Sequence, residues 1–366
     1  MASSELISTI STTDLVPLLD SDQNLYMIDV REPDEVADWQ IPGVHNVPLA
    51  LLESSIDEFP RDGHLVVICA AGTRAQQGAQ ILASHGISSS VLVGGMRAWA
   101  STYDVVTGGY GGATVVQVRR RGKGCLSYVI GAGETAVVID PSLEVDQYVR
   151  IATEHHWTIT HVLDTHLHAD HISGARSLVA RTGAALWLNP ADPFSFAFEP
   201  LVDGRAIELT PGIELTVASV SVPGHTEGST MYQLGEYAIF TGDTLFLESV
   251  GRPDLAEQAE SFAHNLFHSL HERVLPLSDD ITVFPAHYGA GVEVHSDEFV
   301  ARPLGELRHS LPALALGEDD FVRWAIENVK DRPPNYQSIV LVNAGRKELS
   351  GEDTELELGP NRCAVA

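Results

Sequence analysis

Short apolar runs alternate with stretches of helical spacing through the first hundred positions. Residues 25–30 (LYMIDV), 65–68 and 91–93 read as buried strands. Between the last two, Ala75, Ala79, Ile81, Leu82 and Ala83 mark one face of a helix over residues 74–84. Strands separated by helices predict a small parallel α/β sheet. Further on the rhythm changes. Residues 114–118, 126–130 and 136–139 read as successive strands, and a helix carries Val145, Tyr148, Val149 and Ile151. Strands are expected at 159–163, 185–188, 213–222 and 237–241. Helices are expected over 261–274 and 319–329, and a short strand at 338–342.

Gly108-Gly109-Tyr110-Gly111-Gly112 is the strongest loop signal in the chain. It divides the sequence into a first domain, 1–107, a Gly-rich linker, 108–113, and a second α/β domain, 114–346. A polar tail, 347–366, is expected to fray. Two domains suit 366 residues at roughly 100–200 residues per domain.

Composition narrows the function. Hydrophobic residues make up 44%, enough for packed cores. Acidic residues number 50 against 22 basic ones, a net charge of −28. That balance disfavours nucleic acid and anionic membrane surfaces as partners, since both need clustered Lys and Arg. The one basic cluster, Arg119-Arg120-Arg121 with Lys123, is expected to be a solvated hairpin end. Such acidity suits a salt-rich cytosol and an ordinary acidic enzyme equally. Three cysteines make no disulfide framework, so a reducing, cytoplasmic setting is expected. Residues 1–10 lack a basic n-region, and no apolar run is long enough to span a membrane.

The sixteen histidines are the informative excess. Thr165-His166-Leu167-His168-Ala169-Asp170-His171 follows directly after a predicted strand. Gly224-His225-Thr226, Gly242-Asp243-Thr244 and Pro285-Ala286-His287 each follow another. Loops at the carboxyl ends of strands are where α/β folds place their chemistry. Seven ligand-type side chains therefore arrive from four strand ends: His166, His168, Asp170, His171, His225, Asp243 and His287. Imidazole with carboxylate suits Zn, Fe or Mn. His64 and His161, outside these motifs, read as ordinary hydrogen-bonded or surface histidines.

The HxHxDH spacing with the later GH, GD and final His resembles the metallo-β-lactamase superfamily over residues 114–345. The resemblance implies an αββα sandwich with the metal at one edge of its two sheets. THLHADHISG (165–174), GHTEG (224–228), TGDTL (241–245), GRPD (251–254) and PAH (285–287) are similar to the persulfide dioxygenases. That likeness implies one Fe(II) per chain, held by His166, His225 and Asp243 as a facial triad with open positions for O2 and substrate. His168, Asp170, His171 and His287 would then orient the ligands, or hold a second metal. Arg252 is a candidate for a substrate carboxylate or for a structural pair with Asp254.

A second constellation surrounds a cysteine. Cys69-Ala70-Ala71-Gly72-Thr73-Arg74 lies between a strand and a helix, where successive N–H groups and the helix's positive end cradle an anion. Both stabilise a thiolate at Cys69, and Arg74 is placed to brace the loop or bind an anionic substrate. Asp29-Val30-Arg31-Glu32, Ile41-Pro42-Gly43-Val44, the CAAGTR loop and Gly94-Gly95-Met96 before Trp99 together resemble the rhodanese domain over residues 5–105. Rhodaneses carry sulfane sulfur as a cysteine persulfide. Trp39-Gln40 departs from the family's usual Gly-His, a change expected to act on loop packing. Cys125 reads as a packed core residue and Cys363 as a tail thiol.

The two resemblances imply oxidation of a small thiol persulfide by O2 to sulfite and thiol, coupled to sulfur transfer through Cys69 with thiosulfate or sulfite. A dinuclear zinc thioesterase like glyoxalase II, with two Zn, is the enzymatic alternative. A non-oxidative sulfur relay or sensor is the other. The thiol carrier and any homo-oligomer stay open.

Overall fold

The computed structural model describes residues 6–365 except 22–23, 220–221, 256–257, 290, 330–331, 333–334 and 351–352. The first domain is a five-stranded parallel sheet: β1 (Ile7–Ile10), β2 (Leu25–Asp29), β3 (His45–Asn46), β4 (His64–Ile68) and β5 (Ser89–Leu92). Their order is β1-β5-β4-β2-β3. Its central strands β2 and β4 read as near-continuous apolar runs because both faces are covered. Val67 and Val91 pack on Leu82 and Leu52, while Val66 and Leu92 pack on Leu15 and Trp99.

The second domain is an αββα sandwich. One sheet has seven strands: β6 (Tyr103–Tyr110), β7 (Ala113–Arg120), β8 (Cys125–Ala132), β9 (Thr135–Ile139), β10 (Thr158–Leu163), β11 (Ala185–Leu188) and β12 (Glu199–Pro200). The other has six: β13 (Ala206–Thr210), β14 (Ile213–Ser219), β15 (Met231–Leu234), β16 (Ala238–Gly242), β17 (Thr282–Pro285) and β18 (Arg302–Pro303). Period-2 alternation sends Leu126, Tyr128, Ile130, Val137 and Ile139 into the core between the sheets. Val129, Ala136 and Val138 face the opposite way, against helices Asp146–Glu154 and Ala175–Thr182. Helices Ala259–Ser269 and Glu318–Glu327 pack on one another beside the second sheet, with Phe267 against Phe321. Among the described residues no helix is long and apolar enough to cross a membrane.

Four expectations need correcting. The Gly-rich run is no linker. β6 pairs with β7 along its whole length, and Gly111-Gly112 turn the hairpin with positive φ. We therefore place the domain boundary at residues 100–102, just ahead of β6. Residues 338–342 are part of a helix, Tyr336–Asn343, not a strand. Their β-branched composition reads as strand, but Ile339, Val342 and Asn343 are buried at helical spacing, so packing overrides propensity. For strand 213–222, β14 ends at Ser219, and residues 220–221 lie outside the described ones.

The basic cluster is buried rather than solvated. Arg119 pairs with Asp104 at 2.6 Å. Arg121 pairs with Asp20 at 2.7 Å and with Asp104 at 2.8 Å. Arg120 donates to Ala100 O at 2.6 Å and faces Glu357 at 3.3 Å. Lys123 Nζ donates to Glu357 O at 3.1 Å. Buried cations require such partners. Because Asp20 and Ala100 belong to the first domain, the cluster joins the two domains. Trp39 adds a bond from its Nε1–H to Gly122 O at 2.8 Å, which gives the departure from the rhodanese pattern a packing role.

The tail also departs from expectation. Val365 is buried in the main core, and its N–H donates to Val250 O at 2.9 Å. Ala364 bridges Gly251, and Arg362 reaches Asp38 of the first domain at 2.5 Å. Residues 358–365 are thus a strap across the GRPD loop.

Candidate functional site

The metal-type motifs meet where β10, β16 and β17 end, joined by residues 224–226 between β14 and β15 and by Asp140 after β9. Asp140, directly after β9, holds a positive φ of 52°, a conformation that L side chains seldom adopt. Its carboxylate accepts the Thr165 N–H at 2.6 Å, the Thr165 hydroxyl at 2.9 Å and His168 Nε2 at 3.2 Å. These bonds hold the 165–171 loop against the strained residue. The Thr165 hydroxyl in turn lies 2.9 Å from His166 Nδ1 and accepts its proton, so His166 Nε2 carries a lone pair. His225 is fixed likewise, its Nδ1–H donating to Arg252 O at 3.0 Å. Gly251 has to be glycine, since a Cβ there would collide with Asp243 O.

The ligand atoms of His166, His225 and Asp243 all lie within 4.8 Å of one another. His225 Nε2 is 3.3 Å and His166 Nε2 is 3.6 Å from Asp243 Oδ2. All three atoms are buried, and none has a hydrogen-bond partner among the described residues. Burial pushes both imidazoles below the usual histidine range, and for His166 the neighbouring His168 adds to this. Burial works against the Asp243 charge, but His287 and His166 outweigh it and hold the carboxyl far below its usual range. Two neutral nitrogens and one anionic oxygen, each buried and unpartnered, form a donor set that fits a divalent metal.

A second layer stands behind this triad. His287 Nδ1 donates to Asp243 Oδ1 at 2.6 Å, and His287 Nε2 lies 2.9 Å from Asp170 Oδ2. Burial opposes charge on His287, yet the Asp170 and Asp243 carboxylates outweigh it and raise its pKa well above the ordinary value. His171 Nδ1 donates to Asp170 Oδ1 at 3.0 Å. Cys125, expected to be mere packing, joins Asp170, His171 and His287 in a buried group within 4.8 Å. Burial and Asp170 push its thiol up, but His171 and His287 outweigh them and bring it down to about 7.

Supports that sequence reasoning missed come from distant segments. Asp192 accepts the Leu167 N–H at 2.8 Å and the Gly228 N–H at 3.0 Å, tying two of the motifs together. Asn343 donates to the carbonyls of His168 and His171 at 2.9 and 2.8 Å. Lone Asp and Asn residues carry no sequence signal for such work.

Arg252 takes the structural alternative. It is buried, and its guanidinium bonds Asp254 at 2.7 and 3.0 Å and Arg362 O at 2.9 Å. Cys363 is not a free tail thiol. It is buried, and its Sγ lies within 4.8 Å of the Asp243 and His287 ligand atoms. Burial and the Asp170 and Asp243 carboxylates push that thiol well up.

In the first domain Cys69 follows β4 and is 2% exposed. The Gly72 N–H donates to its Sγ at 3.1 Å. Gly72 has a φ of 102° and opens helix Thr73–Ser84. The 94–96 segment closes over the loop, with Met96 N–H bonding Cys69 O at 2.9 Å. A Cβ on Gly95 would strike that same oxygen. Arg74 braces the loop rather than standing free, making two bonds to Glu35 at 2.7 and 2.8 Å. Arg31 and Asp29 of the first motif form a buried pair at 2.7 Å that also holds Trp39 O.

Residues 11–102 match the family described as rhodanese-like domain, and residues 120–287 match the metallo-beta-lactamase superfamily. The human protein "Persulfide dioxygenase ETHE1, mitochondrial" is 32% identical over 213 residues, which cover 54% of this chain and 74% of that one. The chain belongs to the metallo-β-lactamase superfamily. A rhodanese-like domain precedes its metallo-β-lactamase domain, and persulfide dioxygenases are among its relatives. The crystal structure of ETHE1 from Myxococcus xanthus superposes with a TM-score of 0.56 at 29% identity, covering 63% of this chain and 98% of that one. A hydroxyacylglutathione hydrolase of Methylobacillus flagellatus is 34% identical over 117 residues, covering 32% of this chain and 46% of its own.

Proposed function

We propose that this protein oxidises a low-molecular-weight thiol persulfide with O2, releasing sulfite and thiol, at one Fe(II) held by His166, His225 and Asp243. The observation that carries this reading is the convergence of three buried donor atoms that have no hydrogen-bond partner among the described residues. The likeness to persulfide dioxygenases supports the choice of substrate. Iron bound there supplies O2 activation and a place for the terminal sulfur of the persulfide. The chain's own residues supply the rest. Thr165 and Arg252 O fix the two imidazole tautomers. His287 holds Asp243 Oδ1, so that Oδ2 faces the triad.

Cys69 is the proposed sulfane-sulfur carrier, exchanging sulfur with thiosulfate or sulfite through its N–H-lined loop. A second reading, a dinuclear zinc thioesterase, is favoured by the compact group of Cys125, Asp170, His171 and His287. Metal analysis of protein purified without air separates the two. About one iron per chain, with oxygen uptake on adding persulfide, supports the dioxygenase; two zincs and no uptake would overturn it.

A further inference from the structure

A cleft of about 1500 Å³ opens between the two domains and reaches His287 at the edge of the metal site. Trp39 and Trp99 wall it on the first domain's side, and Phe246 on the other. The cations on its lining are already engaged. Arg121 is held by Asp20 at 2.7 Å and Arg362 by Asp38 at 2.5 Å. Lys123 Nζ donates to the carbonyls of Glu357 and Gly359 at 3.1 and 3.4 Å. Glu248 differs from them. Its exposed side chain lines the cleft, and its carboxylate accepts the Gly289 N–H at 3.1 Å. Among the described residues no cation pairs with it. Gly289 lies two residues after His287, a span of at most about 7 Å, and His287 Nδ1 bonds Asp243 Oδ1 of the triad. Phe246 lies on the same route, its ring 6.3 Å from that of His287. An occupant whose cationic end meets Glu248 therefore has an apolar wall for its stem and the metal site within short reach.

We infer that this cleft receives the persulfide by its carrier, and that the carrier is an aminothiol, with an ammonium group a few bonds from sulfur and no phosphate or surplus carboxylate. This rests on the persulfide reading given above. Charge makes the selection. A thiol bearing phosphates or several carboxylates needs uncommitted cations, and it enters against the chain's net charge of −28. An ammonium instead gains a charge-assisted hydrogen bond at Glu248. Volume does not restrict the choice, since the cleft admits a carrier with a larger neutral body behind its amine.

Titration calorimetry on the full chain with unreactive thioethers tests the cleft apart from the chemistry. The probes are S-methylcysteamine, which carries an ammonium, S-methylthioglycolate, which carries a carboxylate, and S-methyl coenzyme A, which carries phosphates. The ammonium probe should bind about tenfold tighter than either anion, and Glu248→Gln should remove that preference. Glu248→Lys should reverse it. An anionic probe that binds as tightly as the ammonium probe overturns the inference, as does a preference that survives in Glu248→Gln or a failure of all three probes to bind. Oxygen uptake with the persulfides of the same three thiols judges the dioxygenase reading separately. Uptake with a higher kcat/KM for an anionic carrier overturns the aminothiol and leaves that reading standing. Uptake with none of the three overturns the reading, and the carrier's role with it, whatever the probes do.

Discussion

The two reactive centres of this chain are built from opposite materials. Around Cys69 the polar environment is largely backbone: the Gly72 N–H on the sulfur and the Met96 N–H on the carbonyl, all within residues 69–96. Around His166, His225 and Asp243 it is side chain, gathered from the ends of several strands and from the C-terminal strap. A backbone cradle tolerates side-chain change but depends on glycine. A side-chain centre depends on each donor and its orienting partner, and here also on a few backbone positions such as Gly251.

The largest effects should come from removing a donor. His166→Ala or Asp243→Ala should lose the metal and oxygen consumption while thiosulfate sulfurtransfer continues, as measured by metal content, an oxygen electrode and a sulfurtransferase assay. The loss should exceed the roughly 10–100-fold typical of an outer partner. Full metal content in either variant would remove the triad. Cys69→Ser should do the reverse, abolishing sulfur transfer and leaving oxidation of a supplied persulfide in place. Mass spectrometry after thiosulfate treatment should find one added sulfur at Cys69, and its appearance only at Cys125 or Cys363 would move the carrier.

Intermediate effects should appear where the two regions join. Arg121→Ala leaves the Asp20 carboxylate without its cation, while Asp104 keeps both bonds to Arg119. A loss of about 3–5 kcal/mol is expected for breaking a buried pair. Calorimetry should then resolve two unfolding transitions in place of one, and a single unshifted transition would show that the hub does not couple the domains.

The smallest effect concerns Glu35. The Arg74 guanidinium lowers its pKa to about 2 from the usual 4.5. A depressed carboxylate contributes stability that is present above its unfolded pKa and is lost as pH falls through the folded one. Arg74→Ala should therefore cost up to about 1 kcal/mol at neutral pH, the pair being one-third exposed. The difference from the parent should shrink between pH 4.5 and about 2. A difference that stays constant in chemical denaturation across that window would assign Arg74 another role.

The same contrast explains what was legible in the sequence. The Cys69 loop and the metal motifs are local, so short strings reveal them. The strands of the sandwich were visible because their apolar runs are continuous. Asp192, Asn343, Cys125 and Cys363 were invisible as functional neighbours, because their role exists only after strands distant in sequence are folded together. Residues 119–123 misled because charge normally means solvent, and here the counter-charges Asp20 and Glu357 lie far away in the chain while Asp104 sits across the unforeseen β6–β7 hairpin. Helix Tyr336–Asn343 misled because its β-branched residues were weighed without the core that Ile339 and Val342 enter.

The hairpin strand β6 begins at Tyr103, with only three residues between it and the end of helix Gly95–Trp99 of the first domain. No slack chain separates the two centres, and the Arg121, Trp39 and Arg362 contacts clamp them further. Enzymes that pass a reactive group between active sites on a tethered arm need a hinge with reach. This chain has none between its domains, so for sulfur to travel from one centre to the other it is the carrier that must move while the protein stays still.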